Sequence, residues 1–166
     1  MMSTEKNITD KLNRELITYF KHSKSDKLNL FSVDNLTYTD FLSNKMLMIY
    51  IIRQGVPYSI FNLIQKNTPF TENDWADLLD LSTKSLQRYK QSAKQFKSLQ
   101  SEKIIEMAEV TNIGIDVFGD MEKFKLWLDT PNFALGNIKP FELLKDSYGK
   151  EIIIGELTRI NYGILS

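Results

Sequence analysis

The stretch FKLWLDTPNFALGNIKPFELLKDSYGKEIIIGELTRINYGIL, Phe124 to Leu165, decides how this chain is read. Phe124, Trp127 and Leu128 fall at i, i+3 and i+4, one face of a short helix. Thr130-Pro131 reads as an N-cap followed by proline at the first helical position. Gly136 closes that turn, Lys139-Pro140 opens another carrying Phe141, Leu143 and Leu144, and Gly149 breaks the chain again. From Lys150 a final helix places Ile153, Leu157, Ile160 and Ile164 on one stripe, and Gly163 can end it in a left-handed conformation. None of these residues suits catalysis. The expectation is a compact helical module whose last turn is free to touch a partner.

Working outward, Asp120 caps the Phe124–Leu128 helix and Gly119 ends the one before it. That preceding helix is expected from Glu102 to Phe118, with Ser101 as its cap. Further upstream, Thr71-Glu72-Asn73-Asp74 fits a capping box, with a carboxylate three residues after the cap. The helix it starts turns Trp75, Leu78 and Leu79 inward. Asp80-Leu81-Ser82 is a tight turn, and the next helix has Leu86 and Tyr89 inward with Lys84, Gln87, Arg88 and Lys90 outward. Two short helices, a three-residue turn and a polar second helix make a helix-turn-helix pattern over about residues 71–91.

Local charge supports a nucleic-acid role for that second helix. Lys+Arg and Asp+Glu both number 21, so bulk charge argues for nothing. From Leu81 to Ser101, however, Lys84, Arg88, Lys90, Lys94 and Lys97 meet no acidic residue. Phosphates would be met there, and Thr83, Lys84, Ser85, Gln87, Arg88 and Lys90 are the candidate DNA-binding residues. The same pattern also serves pure interaction modules.

Toward the N-terminus, residues 4–21 place Ile8, Leu12, Leu16, Tyr19 and Phe20 at helical spacing. His22 reads as a solvated helix end, and residues 23–38 as a connection with at most a short extended piece. Asp40 to Arg53 reads as one buried helix with Met46 and Met48 as packing residues, and Pro57 to Lys66 as another helix. The fold class expected is all-α, with eight to ten helices. The expected division is 1–38, an N-terminal helix and connection; 39–118, a helical domain holding the helix-turn-helix; and 119–166, a small helical domain packed on it.

Composition narrows the function classes. The chain of 166 residues is 42% apolar and 25% charged, ordinary for a globular protein. It has no cysteine, hence no disulfide, thiolate nucleophile or zinc–thiolate site. The longest apolar run, Met46 to Ile52, is too short to span a bilayer, and MMSTEKNITD lacks a signal core. A cytoplasmic protein without a membrane partner is expected. Phosphate-loop, dinucleotide, zinc-protease and nucleophile-elbow motifs are all missing, and a Ser/His/Asp triad would have to use His22. No catalytic residue, cofactor or metal site is expected. Trp127, at helical spacing with Phe124 and Leu128, reads as core rather than as a stacking platform.

The order of residues in the last third resembles the toxin-binding domain of Xre/MbcA/ParS-type antitoxins. The matching positions are Trp127-Leu128, Pro131-Asn132, Ala134-Leu135-Gly136, Pro140, Leu143-Leu144, Gly149, Leu157, Arg159-Ile160 and Tyr162-Gly163. Asn137 departs from the family's common second glycine, but asparagine tolerates a left-handed backbone. Leu81 to Lys90 is similar to the helix-turn-helix of the same family. The resemblance implies an antitoxin that blocks a RES-domain toxin, an enzyme that degrades NAD, by covering its nucleotide pocket. It implies operator DNA and a second copy of the chain as further partners. The residues it points to at the toxin are Arg159, Asn161, Tyr162, Gly163, Ile164, Leu165 and Ser166. Terminal apolar groups tucked onto the chain's own core, and a helix-turn-helix regulator with no toxin partner, are the alternatives.

Overall fold

A computed structural model of the chain describes residues 2–23 and 32–163. The expected extended piece falls partly on 24–31, and Ile164, Leu165 and Ser166 also lie outside the described residues. Ten α-helices and one 3-10 turn occur among the described residues, with no strand; Asn132 and Ile138 form an isolated antiparallel bridge. The all-α expectation is met. The chain divides into two compact units, Met1–Asn67 with Lys84–Ile105, and Thr68–Thr83 with Glu106–Ser166.

In the first unit α1 (Met2–Lys21) packs on α2 (Tyr38–Leu42) and α4 (Tyr58–Lys66). Leu12, Leu16 and Phe20 supply its buried face, and Asn13 accepts from the Tyr38 amide at 2.6 Å. The single helix expected over Asp40–Arg53 is two. Asn44 Oδ1 accepts from the amides of Met46 and Leu47 and starts α3 (Lys45–Gln54) afresh, while Thr37 and Asp40 form a capping box on α2. The break turns Met46 to solvent, 60% exposed, and leaves Met48 in the core. Ser101 is a second correction. It caps nothing: α7 begins three residues earlier, at Ser98, and runs to Phe118. Fully buried, the Ser101 hydroxyl accepts from the Val56 amide at 2.9 Å and donates to the Phe96 carbonyl at 3.2 Å. It satisfies two buried backbone groups from remote parts of the chain.

In the second unit Thr71 and Asp74 form the expected capping box of α5 (Glu72–Leu78). The helix ends in a Schellman motif: Asp80 is left-handed at φ 52, its amide bonds to Asp77, and the Leu81 amide reaches Ala76. Asp120 accepts from the Lys123 amide and caps α8 (Met121–Asp129), as read from sequence. A side chain at Gly114 would overlap the ring of Phe124, so this glycine seats α8 on α7. Trp127 is only half-buried, against Phe118 and Phe124. Thr130 does not cap the following turn. Its hydroxyl donates back to the Leu126 carbonyl at 2.6 Å, and Asn132 caps the 3-10 turn Phe133–Leu135 instead. Gly136 and Asn137 are both left-handed, at φ 73 and 60. Pro140 opens α9 (Pro140–Leu143) at N1, as expected.

Replacing Ser101 by alanine removes the partner of the buried Val56 amide and should cost about 1–3 kcal/mol of stability. Urea denaturation reads the change; an unshifted midpoint would contradict the role given to this hydroxyl.

Candidate functional site

Two helices carry the candidate residues read from the sequence. The first is α6 (Thr83–Ser92). Its inner face is Leu86, buried, and Tyr89, whose ring stacks on Phe96 at 4.4 Å and 12°. Phe96 is itself buried and packs edge-on against Phe61 at 4.9 Å. That seat aims Lys84, Gln87 and Arg88, spaced i, i+3, i+4, at solvent. Thr83 and Lys90 flank them and are also exposed, whereas Ser85 sits half-buried at the edge of the inner face. Lys84, Arg88 and Lys90 enter none of the ion pairs found among the described residues.

The second is α10 (Ser147–Asn161). Gly149 was expected to break the chain. It lies inside the first turn, buried, because a side chain there would collide with the Leu143 carbonyl at the end of α9. Lys150 Nζ bonds to Glu109 of α7 at 3.1 Å, both side chains mostly covered. These two contacts set the roll of the helix. Ile153 and Leu157 are fully buried, and Ile160 is half-buried. The opposite face carries Tyr148 (83% exposed), Ile152 (51%), Gly155, Arg159 and Tyr162 (76%). Their spacing, i, i+4, i+7, i+11, i+14, is one helical stripe. Asn161 and Gly163 are exposed, and Gly163 is left-handed at φ 72, so the helix ends as read from sequence. An exposed glycine inside a helix costs roughly 0.5–1 kcal/mol relative to alanine.

Sequence reasoning selected only the end of this stripe. Tyr148, Ile152 and Gly155 complete the stripe, and the same helical spacing, applied to the side opposite Ile153 and Leu157, finds them in the sequence. Sequence reasoning also left Arg159 free. Its Nη1 donates to Glu156 Oε2 at 3.2 Å, and Glu156 is only 7% exposed, so the guanidinium neutralises a buried carboxylate of its own helix. Among the described residues no group of acidic, histidine or cysteine side chains could hold a metal, and no helix is long and apolar enough to cross a membrane.

Residues 114–163 match the antitoxin Xre/MbcA/ParS C-terminal toxin-binding domain, and residues 48–109 match the antitoxin Xre-like helix-turn-helix domain. The Antitoxin Xre of Photorhabdus laumondii subsp. laumondii is 26% identical over 117 residues, which are 70% of this chain and 79% of that protein. A chain of the crystal structure of the M. tuberculosis MbcT-MbcA toxin-antitoxin complex superposes with a TM-score of 0.50 at 22% identity. The match covers 58% of this chain and 86% of that one, a likeness of fold. A helix-turn-helix domain followed by a toxin-binding domain is the build of an antitoxin. The chain belongs to the Xre/MbcA/ParS antitoxin family.

Because Arg159 is half-exposed, its pair with Glu156 is partly screened, and Arg159→Ala should cost only about 1 kcal/mol by leaving the buried carboxylate alone. Adding Glu156→Gln should recover most of that. Chemical denaturation of the single and double variants measures it, and equal losses in both would dissolve the coupling.

Proposed function

We propose that this antitoxin blocks an NAD-degrading RES-domain toxin by laying the end of α10, and the residues that follow it, over the toxin's nucleotide pocket. The observation that carries the reading is Tyr162: it stands 76% exposed at the end of a helix whose inner stripe is already buried upstream. A tyrosine can bury its ring in a partner and still hydrogen-bond through its hydroxyl. Arg159, Asn161 and Gly163 lie beside it, and Ile164, Leu165 and Ser166 follow in sequence. The choice of a RES toxin rests on the family resemblance. Arg159 acts from its pair with Glu156, which fixes the guanidinium before the partner arrives.

The same chain binds its own operator through α6. The exposed Lys84 and Arg88, in no ion pair among the described residues, support this, with Thr83, Gln87 and Lys90 around them and Ser85 at the margin. Two copies of the chain would present two such helices to successive major grooves. Both activities place the protein in the cytoplasm, with the NAD pool and the operator.

Removing residues 162–166 should abolish protection of cells that express the toxin, read as growth and cellular NAD. Folding and DNA retardation should persist. Full protection by the truncated chain would move inhibition to the face between Trp127 and Leu144. For the operator, Lys84→Ala/Arg88→Ala should weaken binding to every sequence and lower the salt slope by about one for each phosphate no longer neutralised. An unchanged slope removes α6 from the interface.

A further inference from the structure

Three glycines lie inside α7 and α10. Two have an internal reason: side chains at Gly114 and Gly149 would strike the Phe124 ring and the Leu143 backbone. The third, Gly155, has none. A Cβ built there meets nothing within 4 Å, its backbone is ordinary helix, and it lies on the exposed face. Alanine would suit this position better on every ground internal to the chain. What glycine does here is remove a side chain from the middle of an otherwise bulky stripe. Ile152 stands one turn before it and Arg159 one turn after, with Tyr148 and Tyr162 beyond. The result is a notch in the stripe between Ile152 and Arg159, with an exposed tyrosine beyond each.

We infer that this notch is where the toxin packs against α10: an apolar ridge of the toxin seats over Gly155, between Ile152 and Arg159. This rests on the toxin-binding reading above and extends it from the chain's end to the body of the helix. The occupant follows from continuity. The stripe lies wholly within residues 114–163, matched to a toxin-binding domain, and runs through Tyr162 into the residues assigned to the nucleotide pocket. A ridge entering a groove lets two backbones approach closely, and a missing Cβ deepens the groove at its narrowest point. Exposed tyrosine and isoleucine beside such a notch have the composition of an interface centre.

The test uses the full chain and the purified product of the reading frame adjacent to its own. Gly155→Leu should fold with a Tm at or above the parent's. Its affinity for that toxin should fall at least about tenfold, with Gly155→Ala intermediate. Ile152→Ser, an exposed change, should lower affinity as well and keeps the test open if Gly155→Leu fails to fold. The chain lacking residues 162–166 is measured in parallel. Parental affinity in the Gly155 and Ile152 variants, with loss in the truncated chain, overturns the notch and leaves the terminal plug standing. Parental affinity in all of them overturns both. A changed oligomeric mass of Gly155→Leu alone, by light scattering, would give the face to a second copy of the chain and equally overturn the inference.

Discussion

The contact between Gly149 and the Leu143 carbonyl is the constraint that orients α10 in the second unit. It brings the end of α9 against the first turn of α10 at a distance no side chain would permit. Once that turn is fixed, the ion pair from Lys150 to Glu109 fixes the roll of the helix. Everything downstream follows from a 3.6-residue period: Ile153 and Leu157 go inward, and Tyr148, Ile152, Gly155, Arg159 and Tyr162 go outward. The protein does not need to order a loop to present this face. It lies on a helix, so the toxin contact proposed for it would cost less conformational entropy than one made by a loop.

The first unit uses the same device for a different end. Phe96 is held by its carbonyl's bond from Ser101 and its amide's bond to Val56, and it offers Tyr89 a flat surface. α6 thereby buries one side and exposes the other. Its hydrophobic seat is small, buried Leu86 and half-buried Tyr89, and the stack on Phe96 is part of it. Lys84, Arg88 and Lys90 then face outward with no counter-ion among the described residues.

What sequence could tell was local. The capping box at Thr71 and Asp74, the cap at Asp120, proline at the start of α9 and the left-handed Gly136, Asn137 and Gly163 all depend on residues within a few positions of each other. The exposure of Lys84, Gln87 and Arg88 on α6 was legible for the same reason. The misreadings share the opposite cause. Ser101 answers to Val56, forty-five positions away, and Gly149 to a carbonyl on another helix. Asn44 and Asn132 simply outcompete the helix continuation at 43 and the threonine cap at 130, which propensity alone does not rank. The outer stripe of α10 carries no capping or turn signal and shows in the sequence only as the side opposite Ile153 and Leu157.

Hydrogen exchange of the chain, free and in complex with its toxin, tests most directly that α10 presents the toxin-binding face. Added protection should begin near Tyr148, extend through Gly155 to Tyr162, and leave α6 as it is in the free protein. Protection gained on α6 or α3 with none on α10 would contradict the account.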